Sequence, residues 1–217
     1  MVSATLRQGL ARVRRVLPNV RVVALNVGDS ASVAGLTAAL EDVALDLLVN
    51  NAGIRPEQCG PDCLLDEIDY DAMANTLSTN AVGPCRVLAA ALPALARAPR
   101  FAVLNVSSGL GSAARVCQSR VLFRNLRATD LAYRASKAAL NMATACAALE
   151  LSERYPNSVV VAMDPGYCKT HMGRRGGRDD PPMEVAASIE GQLRVLETLT
   201  PADTGKFINF DGTELPW

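Results

Sequence analysis

Tyr133 and Lys137 stand four residues apart in Tyr133-Arg134-Ala135-Ser136-Lys137, inside a helical pattern that continues through Ala138-Ala139-Leu140. Positions i and i+4 share one face of a helix, so the phenol and the ammonium group point the same way. A free tyrosine ionises near pH ~10, and a positive charge held close favours its phenolate, which makes the pair a proton donor and acceptor usable nearer neutrality. A packed tyrosine beside a surface lysine would produce the same spacing by accident. The pair therefore takes its meaning from what else the chain sets around it.

Two other segments offer chemistry at the ends of apolar runs. Leu47-Leu48-Val49 leads into Asn50-Asn51-Ala52-Gly53, where amides and small residues let a flat ligand approach the backbone. Asn105-Val106-Ser107-Ser108-Gly109 ends a second run in hydroxyls. Either could be an ordinary turn when taken alone; side by side they begin to make a site.

The elements that must position these groups follow from the pattern. Short runs rich in Val, Leu and Ile (Val20–Leu25, Leu45–Val49, Phe101–Val106, Ser158–Met163 and Lys206–Phe210) alternate with helical stretches near Val33–Asp42, Tyr70–Arg97, Asp130–Arg154 and Met183–Leu199. Alternation of this kind predicts βαβ crossovers, and strands without polar alternation predict a parallel sheet covered on both faces. The expected fold is α/β, a Rossmann-like doubly wound parallel sheet in one domain over residues 1–217. In such sheets ligands bind beyond the carboxyl ends of the strands, which is where the Asn-Asn-Ala-Gly and Ser-Ser segments fall. Gly173–Pro182, with its glycines and prolines, reads as a mobile loop and not as a domain boundary.

Composition narrows the partners. The 217 residues are 49% hydrophobic, enough for one buried core. Lys+Arg and Asp+Glu are equal at 22 each, so no net field argues for nucleic acid or an anionic membrane, and a small-molecule ligand fits better. No apolar run approaches the ~20 residues of a membrane span. Six dispersed cysteines without a signal peptide point to reduced thiols in the cytoplasm. Cys59 and Cys63 alone could hint at a metal site, but zinc takes about four ligands and the chain has a single histidine, His171, so no metal is expected. Arg7, Arg12, Arg14, Arg15 and Arg21 precede the first acidic residue, Asp29, as in a mitochondrial transit peptide. Leu6, Leu10, Val13 and Leu17 recur at helical spacing and favour a domain helix feeding Val20–Leu25 instead.

Taken in chain order, Asn-Asn-Ala-Gly, Asn80 within Ser78-Thr79-Asn80-Ala81-Val82-Gly83, Ser107-Ser108 and Tyr-x-x-x-Lys resemble the short-chain dehydrogenase/reductase family. Asp164-Pro165-Gly166-Tyr167-Cys168-Lys169-Thr170 is similar to the family's Pro-Gly-x-x-x-Thr segment over the nicotinamide, and Gly205–Trp217 resembles the ending of the C-factor and sniffer-type carbonyl reductases. The resemblance implies hydride transfer between NADP(H), with NAD as the alternative, and a carbonyl or alcohol substrate. It implies Tyr133 as acid/base, Ser108 (Ser107 as the alternative) on the carbonyl oxygen, Lys137 lowering the tyrosine pKa and holding the nicotinamide ribose, and Asn80 supporting a water chain. Val27, Asn51, Ala52, Gly53, Pro165, Gly166 and Thr170, with Tyr133 and Lys137, would line the cofactor; Asn26 stands where an aspartate is usual. Lys169 and His171 read as solvated loop residues. Arg174, Arg175 and Arg178 could attract an anionic substrate, yet beside Asp179 and Asp180 they read as a solvated loop.

Two departures carry expectations of their own. The stretch between Ser108 and Tyr133 is longer than the family usually places there, so Arg115–Arg127 is expected to form an extra lobe, favouring a monomer over the family's dimers; monomer and homodimer both stay open. The family's opening strand, Thr-Gly-x-x-x-Gly-x-Gly turn and helix are not found, and a βαβ unit of ~30 or more residues is expected to be missing. The chain is then expected to be unstable alone, or Val20–Leu25 to slide in beside Leu45–Val49. Against the enzyme stands a non-catalytic relative acting as a binding or signalling partner; the presence of Ser108, Tyr133 and Lys137 together favours the enzyme.

Overall fold

The computed structural model describes residues 19–56, 65–118, 130–174 and 181–217. Four strands, β1 (Leu47–Asn50), β2 (Ala102–Val106), β3 (Val159–Asp164) and β4 (Phe207–Asn209), form one parallel sheet in the order β1-β2-β3-β4. The helices are α1 (Ser30–Ala39), α2 (Tyr70–Leu77), α3 (Gly83–Leu95), α4 (Ala113–Gln118), α5 (Leu131–Arg154), α6 (His171–Arg174) and α7 (Val185–Thr198). The α/β, Rossmann-like expectation is the observed fold, and four of the five expected strands form within one or two residues of their expected bounds.

The two-residue period of the strands sorts their side chains into two cores. Val103 and Val160 face Ala91 and Leu95 of α3 and Ala148 and Leu151 of α5. Leu104, Val161 and Met163 face Val195 of α7 and Leu199, together with Ile208 of β4. Helices thus cover both faces, which is why β2 and β3 are apolar on both sides. Among the described residues no helix is long and apolar enough to cross a membrane.

Val20–Leu25 departs from expectation. It forms no strand and does not pair beside β1; Val20, Val23 and Leu25 stay 41%, 43% and 38% exposed. The chain is instead turned at Asn26, whose carbonyl accepts from the Asp29 N–H (3.1 Å) and whose side-chain oxygen accepts from the Gly28 N–H (3.1 Å). That turn feeds α1, which lies along α3 with the Thr37 hydroxyl donating to the Ala90 carbonyl (3.2 Å). Apolar β-branched residues make a strand only where backbone partners are within reach, and the turn carries this segment elsewhere. The helical spacing of Leu6 to Leu17, Cys59 and Cys63, most of the Arg115–Arg127 insertion, and Arg175 and Arg178 lie outside the described residues.

The long helix expected over Tyr70–Arg97 is broken into α2, a π-helical turn at Ser78–Val82, and α3. Pro84 cannot donate to the carbonyl four residues back, and the Gly83 N–H donates instead to Ser78, five residues back. The bulge turns Asn80 into the interior, where it is fully buried.

Candidate active site

The 24 residues of α5 place their functional side chains by helical periodicity. Tyr133, Ser136, Lys137, Leu140, Asn141, Thr144, Ala148 and Leu151 all lie on its buried face. The end of this face nearest its N-terminus is polar and the other end apolar, so the same stripe that docks the helix on the sheet delivers a phenol and an ammonium group to the carboxyl ends of β2 and β3.

Tyr133 is hydrogen-bonded to the Ser108 side chain, just beyond β2. Ser107, one residue earlier, points into the protein and donates to the Asn141 side-chain oxygen at 2.5 Å. The alternation of the strand thus separates the two serines. Ser107 is buried and committed, whereas Ser108 is half-buried and meets the phenol. Lys137 Nζ donates to the Val106 carbonyl at 2.8 Å and is 4% exposed.

Asn80 locks the loop after β1 to α5. Its side-chain oxygen accepts from the Ile54 N–H (2.8 Å), and its Nδ2 donates to the Ile54 carbonyl (2.7 Å) and the Ser136 hydroxyl (3.0 Å). Asn80→Ala strands both backbone groups of Ile54 in a half-buried loop, where each group left unsatisfied costs ~1–3 kcal/mol. The expected result is a loss of about 2–4 kcal/mol, read as a lower midpoint in urea at unchanged m-value.

Gly53 stands between these groups: a Cβ there would lie 3.5 Å from Asn80 Oδ1 and 3.7 Å from Lys137 Nζ, filling the approach to the ammonium. Asn51 and Ala52 are exposed and Gly53 half-buried. Pro165 and Gly166 follow β3, with Gly166 at φ +78°, a conformation that side chains rarely adopt. Thr170 is exposed at the start of α6, and Val27, packed against Gly83, borders the opposite side of the loop cluster. An open shelf of small residues above a buried cation suits a flat, hydroxyl-bearing ligand such as a nicotinamide riboside, so the residues present fit the cofactor half that the resemblance assigns to them.

Several participants escaped the sequence reading. Asp164 ties the strand ends together, one carboxylate oxygen accepting from the Gly109 N–H (2.8 Å) and the other from Gly166 (3.0 Å). Asn50 donates to Asn105 (2.8 Å), Asn105 to Thr144 (2.8 Å) and Thr144 to the Leu140 carbonyl (2.7 Å), a buried polar ladder across β1, β2 and α5. Asn141 and Thr144 follow Lys137 at i+4 and i+7, and that spacing was the available signal. Arg55 pairs with Asp130, with Nη2 2.5 Å from Oδ1.

The electrostatics correct one expectation. Lys137 was expected to bring the tyrosine pKa down, yet burial pushes Tyr133 up to about 12, opposed by the Ser108 hydrogen bond and the Arg55 charge and reinforced by Asp164 and Asp130. Burial also brings Lys137 down to about 8, with Asp164 opposing. Burial disfavours the phenolate and the ammonium alike, so the two groups are shifted in opposite directions from their ordinary values. At neutral pH Tyr133 is a protonated hydrogen-bond donor held among Ser108, Lys137 and Arg55.

Among the described residues no group of three or more His, Cys, Asp or Glu side chains gathers as a metal site.

Comparison with known proteins agrees with this arrangement. The short chain dehydrogenase family model matches residues 2–180. C-signal of Myxococcus xanthus is 38% identical over 173 residues, covering 80% of this chain and 93% of that protein. The crystal structure of NADPH-bound carbonyl reductase from chicken fatty liver overlays 100% of this chain and 85% of its own, at a TM-score of 0.84 and 32% identity. The carbonyl reductase Sniffer of D. melanogaster overlays 100% of this chain and 86% of its own, at 0.84 and 28%. With sequence likeness and backbone overlay both spanning the elements that carry Asn80, Ser108, Tyr133 and Lys137, the chain belongs to the short-chain dehydrogenase/reductase family of NAD(P)-dependent oxidoreductases.

Proposed function

We propose that this chain reduces a carbonyl substrate to the alcohol with NADPH, and runs the reverse oxidation less readily. The observation that carries the reading is the buried, protonated Tyr133, hydrogen-bonded to Ser108 at the carboxyl end of the sheet and one helical turn from Lys137. The bound nicotinamide would supply the hydride to the carbonyl carbon. Tyr133 then gives its proton to the carbonyl oxygen, Ser108 holds that oxygen by a hydrogen bond, and the phenolate left behind is reprotonated from solvent. Lys137 would hold the ribose hydroxyls when the cofactor is bound, and Asn80 keeps the Ile54 backbone in place beside it. Asn51, Ala52, Gly53, Pro165, Gly166 and Thr170 would line the cofactor, with Val27 toward the adenine.

NADPH is preferred over NADH because the overlaid chicken carbonyl reductase holds NADPH. The free thiols of Cys85, Cys117, Cys146 and Cys168 suit the reducing cytoplasm, where the protein would act as a monomer or homodimer. Calorimetric titration with NADPH and, separately, NADH tests the cofactor, and a carbonyl screen with Tyr133→Phe as control tests the chemistry. Saturable NADPH binding with Tyr133-dependent turnover is the expected result. One observation favours a second reading, a non-catalytic binding or signalling partner: the 38% identity to a protein named C-signal. A folded sample that binds neither cofactor would favour that reading and sink the first.

A further inference from the structure

Arg55 follows the Asn-Asn-Ala-Gly-Ile segment, and nothing in its sequence context marks it. In the fold its guanidinium carbon lies 5.7 Å from the centroid of the Tyr133 ring, within the range of a cation–π contact. It is held there by Asp130, whose Oδ1 accepts from Arg55 Nε at 2.7 Å and lies 2.5 Å from Nη2. The two side chains are 11% and 4% exposed, so the pair is shielded from solvent and from salt. Asp130 adopts φ +66° immediately before α5 and accepts the Arg134 N–H on its carbonyl (2.8 Å), so the carboxylate is fixed to the same helix end that carries Tyr133.

We propose that Arg55, clamped by Asp130, is a positioning residue for Tyr133, lying over its ring and supplying the fixed positive charge against which the phenol holds and releases its proton. The proposal rests on the reading of Tyr133 as the proton donor. Lys137 Nζ is equally near the ring centroid at 5.7 Å, but it is turned to the Val106 carbonyl and is a lysine whose charge is lost as pH rises. A guanidinium keeps its charge wherever a tyrosine titrates. The described groups acting on the phenol are then Arg55 on the loop after β1, Asp130 before α5, Lys137 within it, Ser108 after β2 and Asp164 at the end of β3. Arg55 and the Ser108 hydroxyl ease ionisation, while burial and the two carboxylates oppose it.

The test replaces Tyr133 with 3-fluorotyrosine, whose phenol is more acidic than that of tyrosine, and follows its fluorine resonance against pH without any turnover. Arg55→Met alone takes the guanidinium away from the buried Asp130 carboxylate and leaves that negative charge beside the phenol, so the comparison is made on an Asp130→Asn background; asparagine tolerates positive φ and keeps an acceptor for the guanidinium. Asp130→Asn should lower the ionisation midpoint relative to the parent, because a carboxylate is gone and the guanidinium stays. Adding Arg55→Met should raise it by about one pH unit or more, the scale expected when one close charge is removed from a buried site, and Arg55→Lys should recover part of that rise. Equal midpoints in Asp130→Asn and Arg55→Met/Asp130→Asn overturn the proposal, as does a larger rise from Lys137→Met than from Arg55→Met. If the parent reduces no carbonyl yet the midpoints move as stated, the reading of the reaction fails and the Arg55 assignment survives.

Discussion

Tyr133→Phe is expected to abolish carbonyl reduction while leaving the protein folded and its NADPH affinity within about twofold of the parent. General acid catalysis by a positioned side chain contributes roughly 10²–10⁴-fold, and loss of the group that gives its proton to the substrate oxygen should cost kcat on the order of 10³-fold. The structural cost is small because the ring keeps its packing and the half-buried Ser108 hydroxyl, losing the phenol, still accepts from the Leu110 N–H (3.2 Å). A phenol at about 12 also makes the two directions of reaction respond differently to pH. Reduction needs the protonated tyrosine, so at saturating cofactor Tyr133 imposes no fall from neutrality to about pH 10, and a step near pH 8 belongs to Lys137. Alcohol oxidation needs the phenolate, present in roughly one molecule in 10⁵ at pH 7, and should climb close to tenfold per pH unit over the same interval. Initial rates in both directions from pH 6 to 10 read this directly. An oxidation rate that levels off below pH 9 would mean that the phenol of the bound state sits far lower, and that cofactor binding reorganises the charges around it.

Much of this site was legible because helical periodicity and strand ends are local properties. Tyr133 and Lys137 lie on one face since four residues make about one turn of α5, and Ser108 reaches the phenol since Ser107, on the other side of the alternation, cannot. β2 and β3 were readable as apolar runs because burial on both faces leaves little room for polar side chains, whereas β1 is as apolar in sequence with Leu47 and Val49 38% and 44% exposed. Val20–Leu25 shows the limit of the same signal. Its composition is that of a strand, but strand formation is settled by backbone partners, and the Asn26 turn sends the chain into α1. The break at Ser78–Val82 was hidden for a different reason. Its cause is a single missing N–H at Pro84, and a proline two residues beyond the break reads equally well as the start of a second helix.

Arg55, Asp130 and Asp164 were illegible because their importance depends on distance in space. Arg55 and Asp130 are far apart in the chain and meet only because β1 and α5 converge beside β2. The sign of the Tyr133 shift was misjudged for a related reason. Sequence reveals the neighbouring cation but not the depth of burial, and burial disfavours phenolate and ammonium alike, so it drives the two pKa values apart instead of together.

That opposition makes Lys137→Met a substitution that should stabilise the protein as it destroys activity. In the folded chain the lysine is brought from 10.5 to about 8 by burial, so below pH 8 the native state keeps an ammonium that it would rather not bury. A shift of this size corresponds to about 3 kcal/mol of native-state cost at neutral pH. Methionine fills the same linear space without charge, and the loss of one hydrogen bond to the Val106 carbonyl offsets about 1 kcal/mol of the gain. A net stabilisation of about 2 kcal/mol should raise Tm by roughly 4–8 °C at pH 7. Between pH 8 and 10.5 the unfolded parent still holds the proton that its folded form has released, so the parent gains stability with pH and the advantage of the variant shrinks. By pH 10.5 both states of the lysine are largely neutral, and the parent, keeping its hydrogen bond, should equal or exceed the variant. Paired melts at pH 7, 9 and 10.5 follow this convergence. A pH-independent gap would show that the stability change comes from packing around methionine, whereas destabilisation at pH 7 would mean that the ammonium is solvated or paired in the native protein and is not held there at the expense of the fold.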